Sequence, residues 1–487
     1  MKHHTRIQDH LPTPMIDEVK RQSFGTFGVD NAILDLLDEI RFLSIFSRYG
    51  WSKRSGRGLP VLITLLILHP LLKSRSIHMF CRDHFLSVFE VGKDAFYRLL
   101  QRTFPWRTAH WALVKKLIPQ WRKLELGVGY LVADTTVKKK RGSLIEGVCW
   151  HYDHTTGRTV PGFETAHLIW VNDKGALALD AALRFSKRPL IGNLVDILKY
   201  RFDRRSHMGR RFKEAADLTK LSQTIAMVKR AVQAGIPARY FLADAWYASP
   251  KFVKAIRDLG MIPLIRWKRD KVKFLYNGGG FTVAELWSRF AKAKVRKAKG
   301  SKRFKGTILD VEHPEVGHAR LFFVRLIDPK KGSKEWAVFL TTDRTMSLMA
   351  MIEHYANRWG VEVFYKESKQ HLGFLAESVR SFEAVTACLH LAAMRHAILS
   401  SLVVLKGIHR EQLSHDLTSL TYARKLWHAF RWHIATAIDK AANLVNDQKN
   451  EVFELINQEI EGWLGQALLM DPVGFKRQNL AEMNCES

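Results

Sequence analysis

Two aspartates close runs of apolar residues that read as buried strands. Asp134 follows "GYLVA" and Asp244 follows "YFLA". A carboxylate directly after such a run must be solvated, paired or bound to metal, because a bare buried charge is costly. The plain alternative is an aspartate that starts a turn. Strand ends in α/β sheets are also where ligands collect. A third acid, Glu362, lies in "YANRWGVEVFYKESKQ" (355–370). On one continuous helix, Arg358, Glu362 and Lys369 fall about 60°, 20° and 40° to one side of Tyr355. That stripe is either a solvated row of ion pairs or a working surface. Asp134, Asp244 and Glu362, if they converge, could hold two divalent cations about 4 Å apart, the arrangement used for phosphoryl transfer. Carboxylate ligands suit Mg²⁺, with Mn²⁺ as a substitute.

The elements that must position these acids follow from the hydrophobic pattern. Residues 1–125 read as helical, and 91–118 as two helices broken at Pro105 in the manner of a helix–turn–helix. From 127 the texture is β-branched and aromatic. "GVGYLVADTTV" (127–137), "LIEGVCWHYD" (144–153) and "FETAHLIWVND" (163–173) read as three successive antiparallel strands. An amphipathic helix is expected near 214–234, then a strand at 239–247. A helix follows, with Ser249 as cap and Pro250 in its first turn, and then a strand at 261–268. This order makes a mixed α/β sheet. The expected organisation is a helical N-terminal DNA-binding region (1–125), a first part of the core (126–268), a β-rich insertion (269–335), a second part of the core (336–400) and a helical C-terminal region (401–487). A strand at 335–343 and one helix over about 346–371 open the second part of the core.

The spacing of the stripe is specific. Tyr355, Arg358, Glu362 and Lys369 fit Tyr-x2-Arg-x3-Glu-x6-Lys, which resembles the signature of the DDE insertion-sequence transposases of the type-four superfamily. "LADAWY" is similar to that group's second-aspartate motif, with Ala245 and Tyr247 each one place from the strict form. "VADTTVKKKRGSLIEGV" resembles its first-aspartate strand and the strand after it. The resemblance covers roughly residues 90–400. It implies an RNase H-like α/β fold with a β-rich insertion, flanked by helical regions. Asp134 would lie on the first strand, Asp244 after the fourth and Glu362 on a late helix. By the same resemblance these three acids are the metal ligands for two Mg²⁺ ions, and Tyr355, Arg358 and Lys369 hold DNA phosphates.

The charge balance agrees with such a partner. The 487 residues carry 77 Lys and Arg against 47 Asp and Glu, a net charge of +30 that attracts polyanions, nucleic acid first. "SRFAKAKVRKAKGSKRFK" (288–305) has no acid at all. It supplies Arg296, Lys297, Lys302 and Arg303 as DNA contacts, and Lys138, Lys139, Lys140 and Arg141 follow the first aspartate. "RRSHMGRR" (204–211) reads as a basic loop that orders on DNA. Such contacts give affinity without sequence readout. Trp287 and Trp336, around the insertion, are candidates for stacking on an unpaired base, while Trp246 stands beside Asp244 and Trp359 beside Arg358. Core packing is the alternative for each of them.

Weaker signals set limits. His78, Cys81 and His84 have ligand-like spacing but lack the paired element that a zinc site needs. His151 and His154 read as turn residues. The four cysteines are far apart and make no disulfide framework, as expected of a reduced, cytoplasmic bacterial protein that is nucleoid-associated when bound to DNA. The apolar run 59–72 is too short to span a bilayer, and 387–405 carries Arg395, so both read as core helices and no membrane partner is expected. The expected protein is a DNA transposase. It would bind terminal inverted repeats as a homodimer on double-stranded DNA, cleave the ends and join 3′-hydroxyls to target DNA, with a hairpin intermediate as one route. Two rivals remain: a catalytically inert DNA-binding protein derived from a transposase, and an RNase H-like nuclease without strand transfer.

Overall fold

The computed structural model describes residues 36–49, 59–70, 76–83, 92–142, 144–153, 156–190, 200–327 and 335–407. They fall into two compact units. One draws on Met1–Arg102, Lys369–Val379 and Ser401–Ser487, the other on Thr103–Ser368 and Arg380–Ser400. The first contains helices α1 (Ser44–Arg48), α2 (Leu59–Leu68), α3 (Ile77–Asp83) and α4 (Lys93–Gln101). The apolar run read as a buried helix is α2 over its first ten residues, with Leu62, Ile63, Leu65, Leu66 and Ile67 buried. His69 and the backbone of Ile77 both bind the buried Glu377 carboxylate, at 3.0 and 2.9 Å. His84, His154, Cys485 and all of 408–487 lie outside the described residues.

The second unit begins with α5 (Trp106–Arg122), followed by β1 (Tyr130–Lys139), β2 (Cys149–Asp153), β3 (Arg158–Val171) and β4 (Ala176–Arg184). Helices α6 (His207–Asp217) and α7 (Lys220–Gln233), then β5 (Tyr240–Ala243), α8 (Pro250–Asp258) and β6 (Ile262–Trp267) complete the first run. β3 pairs antiparallel with β1 on one side and β4 on the other, while β1, β5 and β6 run parallel. This is the mixed sheet expected, with one correction. The stretch 144–153 contributes only the short β2, paired to the outer end of β3. The third core strand is β4, "ALALDAALR", whose alanines suit a helix in isolation. Burial on both faces makes it a strand. Asp244 therefore still follows the fourth strand of the core sheet.

Other boundaries move for local reasons. The helix expected near 214–234 is two helices, each capped by a hydroxyl: Ser206 accepts from Gly209 N and Thr219 from Ser222 N. The basic stretch 204–211 is therefore not a loop. It opens α6, and Arg211 pairs with Glu214 at 2.9 Å. Pro105 does separate α4 from α5, but ten of the seventeen residues of α5 are buried. These include Arg107, His110 and Trp111, so α5 is a core helix and not a free reading helix.

The segment 269–335 continues the same sheet. After β7 (Lys273–Tyr276), β8 (Gly279–Thr282), the short α9 (Val283–Leu286) and β9 (Arg296–Lys297) come β10 (Phe304–His313) and β11 (Gly317–Leu326), with β12 (Ala337–Thr341) returning beside β6. The strand order β1-β5-β6-β12-β11-β10-β7-β8 is unbroken. Helices α10 (Leu348–Ala356), α11 (Trp359–Gln370) and α12 (Phe382–Lys406) complete the chain described. α12 has the length and composition of a membrane span, yet 78 % of that stretch is buried inside the protein, as a core helix requires.

One face of the sheet defines where the site lies. Tyr130 and Val132 of β1, Tyr240 and Leu242 of β5, and Met351, Val361, Phe364 and Tyr365 of α10 and α11 share one buried cluster. Side chains alternate across a strand, so Asp134, two residues past Val132, and Asp244, two past Leu242, carry on along that same face. Gly129 makes the close pairing of β1 and β5 feasible. A Cβ there would lie 2.0 Å from the Pro237 carbonyl oxygen, and its own carbonyl accepts from Arg239 N at 2.8 Å.

Candidate active site

Parallel pairing matches Tyr130 with Tyr240 and Val132 with Leu242. Continued for two residues, this register sets Asp134 beside Asp244. The two environments differ. Asp134 is not at a strand end, because β1 runs on to Lys139, so the turn reading fails for it. It is half-buried within the strand, and its Oδ1 accepts from Thr135 N at 2.7 Å. Asp244 does cap a turn, the single-turn helix Ala245–Tyr247, through Oδ1 and Trp246 N at 3.0 Å. That bond occupies one of its oxygens. Burial, and then the charge of Asp244, push the Asp134 carboxyl up to about 6, while Thr135 N–H, Lys220 and Arg358 pull the other way. The acid pair is crowded, and Lys220 and Arg358 offset only part of its effect on Asp134.

The stripe that carries Glu362 is not one helix. It breaks at Asn357–Arg358, where Arg358 N bonds back to Tyr355 O and Val361 N to Arg358 O in three-residue turns. Tyr355 thus ends α10, Arg358 stands in the break, Glu362 lies in the first turn of α11 and Lys369 in its last. The ion-pair reading is partly realised. Arg358 Nη2 pairs with Glu362 Oε1, and Arg358 Nη1 stands 3.9 Å from Asp134 Oδ2. Tyr355 points inward, and its hydroxyl donates to the Ala243 carbonyl at 3.2 Å, one residue before Asp244. Burial raises its phenol. Tyr365 donates to the Asp134 carbonyl at 2.8 Å. Two tyrosines therefore fasten α10 and α11 to the strand residues that bear the aspartates.

Sequence reasoning missed Lys220. It opens α7, is only 6 % exposed, and its ammonium lies 4.9 Å from the Trp246 ring and 4.7 Å from the Tyr247 ring. Burial lowers its pKa, against the charges of Asp244, Asp134 and Glu164. A buried cation at the positive end of a helix is unfavourable on both counts, so its signal was position in three dimensions, which no local pattern carries. His151, read as a turn residue, is instead buried in β2, 3.6 Å from Glu164.

The carboxylate types fit hard divalent cations, and the pairing of Asp134 with Asp244 fits best. Among the described residues, however, no three His, Cys, Asp or Glu side chains stand close enough to form a metal-holding group. Glu362 is held by Arg358 instead. Of the zinc candidates, only His78 and Cys81 are among the described residues. His78 is exposed, while Cys81 is buried, with its thiol pushed up to about 11 by burial and then by Glu377.

The expected basic contacts are spread widely. Lys138 and Lys139 belong to β1. Lys138 is half-buried, with its pKa lowered by burial, and Lys139 pairs with Asp153 at 3.0 Å. Lys140 and Arg141 follow that strand. Arg296, Lys297, Lys302 and Arg303 are all exposed beside β10, four strand spacings or about 19 Å across the sheet from β5. Trp287 and Trp336 stack on each other, centroids 4.8 Å apart, with Phe323 against both and Arg269 4.2 Å over Trp336. Trp246 and Trp359 are more open, 52 % and 62 % exposed, two residues past Asp244 and one past Arg358, although Lys220 and Lys268 lie 4.9 and 5.1 Å from the Trp246 ring.

Two family models match the chain. One, described as a DDE superfamily endonuclease, matches residues 86–277, and the other, a transposase DDE domain, matches residues 209–397. Asp134 falls in the first match, Glu362 in the second and Asp244 in both. No curated protein matches the chain.

Proposed function

The chain belongs to the DDE transposase superfamily, and from that premise we propose that it is an insertion-sequence transposase of the type-four group. It binds the inverted repeats at its element's ends, cleaves there and joins the freed 3′-hydroxyls to target DNA. The observation that carries this reading is the acid pair: Asp134 on β1 and Asp244 just past the end of the neighbouring parallel strand β5, with the Asp134 carboxyl raised by burial and then by the charge of Asp244. Asp134, Asp244 and Glu362 are the residues that would hold two Mg²⁺ ions. Bound there, the ions would supply an activated water or 3′-hydroxyl and stabilise the leaving oxygen.

The chain's own residues do the positioning. Tyr355 and Tyr365 fix the helices that bear Arg358 and Glu362 against β5 and β1. Arg358 and Lys369 present cations to the phosphates of the terminal DNA, as do the exposed residues beside β10 along a longer stretch of duplex. Trp246 and Trp359 offer exposed rings beside the acids, where an end nucleotide unpaired in a hairpin route would stack. Trp287 and Trp336 would first have to part from each other. A homodimer bridging two ends is the assembly this reaction requires.

The test is nicking of duplex DNA carrying the element's ends, in Mg²⁺. The parent protein is expected to cut and to give strand-transfer products, and Asp134→Ala and Glu362→Ala to do neither. Equal cutting by the substituted proteins would sink the three-carboxylate assignment. Cleaved ends without joined product under any metal would leave a nuclease instead.

A further inference from the structure

Arg358 faces two of the three acids. Its guanidinium pairs with Glu362 and approaches Asp134 to 3.9 Å, with side-chain exposures of 19 % for Arg358, 20 % for Asp134 and 32 % for Glu362. Charge-assisted bonds in so sheltered a place are strong, and a carboxylate engaged this way is a poor metal ligand. Among the described residues, no three His, Cys, Asp or Glu side chains form a metal-holding group while these pairs are made.

The second cation nearby, Lys220, differs in kind. It is only 6 % exposed, with its ammonium 4.9 and 4.7 Å from the rings of Trp246 and Tyr247 in the turn behind Asp244. Arg358 is less confined. It stands in the break between α10 and α11, 19 % exposed and next in sequence to the exposed Trp359. Together Lys220 and Arg358 offset most of the charge of three acids, so the site attracts a further cation weakly while both are in place.

We infer that Arg358 is a placeholder cation, seated on Glu362 and Asp134 until a DNA phosphate draws it away. This rests on the function proposed above and adds an order to it. A guanidinium binds phosphate bidentately as well as it binds carboxylate, so the exchange replaces one strong partner with another. Once Arg358 has moved, Glu362 and Asp134 face an approaching divalent cation uncompensated. Metal loading and DNA binding are therefore positively coupled, and by linkage each strengthens the other by the same factor. A site built this way takes up its metals only when a strand is present to be cut.

The experiment measures Mn²⁺ binding to the full chain by calorimetry, alone and with a duplex carrying the element's end. Asp134→Asn, measured in parallel, subtracts ions held by the DNA itself. In the parent, the duplex is expected to raise Mn²⁺ affinity about tenfold or more, within the usual range of coupling between sites. In Arg358→Gln, Mn²⁺ should bind without DNA nearly as tightly as the parent binds it with DNA, and the coupling should fall to about twofold. Arg358→Lys, which keeps a cation, should restore part of the coupling. Thermal melting shows that each variant is folded. Equal affinity in the parent with and without duplex overturns the inference, and so does an Arg358→Gln protein that binds Mn²⁺ no tighter than the DNA-free parent. If instead Asp134→Asn binds Mn²⁺ as the parent does, the proposed carboxylate site itself has failed.

Discussion

Asp134→Asn is expected to abolish metal-dependent nicking, by about a thousandfold or more, equivalent to about 4 kcal/mol of barrier, while making the metal-free protein more stable at neutral pH. The two effects have one cause. Burial and the neighbouring Asp244 hold the Asp134 carboxyl at about 6, above its ordinary 3.8. The folded protein therefore keeps a proton that the unfolded chain gives up between those two values. Stability from this group is present in full below 3.8 and is lost as pH rises through about 6. Above pH 7 the ionised acid costs about 1–3 kcal/mol, because a tenfold change in proton affinity is worth about 1.4 kcal/mol. Asparagine keeps the shape and can still accept from Thr135 N, but it carries no charge to be crowded. Melting in the presence of a chelator should show the variant above the parent at pH 7–8 and level with it near pH 4. A variant less stable than the parent at pH 8 would mean that Asp134 is already well compensated, and that the pair does not await a cation.

The nearness of Asp134 and Asp244 was legible because its pattern is written locally. An aspartate after a run of strand residues, and a four-residue spacing on a helix, can be read without knowing what lies across the sheet. The order of strands around β1, β5 and β6 followed for the same reason. What was hidden depends on pairs distant in sequence. β4 is a strand only because β3 and α6 cover it, since its alanines favour a helix in isolation. The break at Asn357–Arg358 has no proline to announce it. Instead Tyr355 bonds to β5, Tyr365 bonds to β1, and Gly360 sits so close to Val171 that a Cβ would meet its methyl at 2.7 Å. Nothing in the sequence around Lys220 marks it as buried beside the acids. For the tryptophans of the insertion, base stacking and core packing stayed open, because the sequence does not show that Trp287 and Trp336 are each other's partner.

A second aspartate makes the opposite prediction and separates structure from site. Asp180 of β4 is fully buried and meets Arg107 at 3.0 Å, Arg230 at 2.6 Å and the Trp111 indole at 3.2 Å. Arg107 also reaches Glu214 of α6 at 2.8 Å and the Ala181 carbonyl at 2.8 Å. This network ties α5, α6 and α7 to β4. Burial pushes the Asp180 carboxyl up, but Arg107 and then Arg230 more than offset it and hold the group below 3.8. Its contribution is present above 3.8 and is lost as pH falls through the lower folded value, the reverse of Asp134. Asp180→Ala should cost about 3–5 kcal/mol, because it strands the buried Arg107 beside a cavity. Asp180→Asn should cost less, and it should flatten the fall in stability at the acid end of a melting series. Neither should change the pH at which the Asp134 step appears, since the two carboxylates lie on different strands and answer to different partners. If Asp180→Ala melted with the parent, the network would be an incidental contact, and the helices would be held to β4 by apolar packing alone.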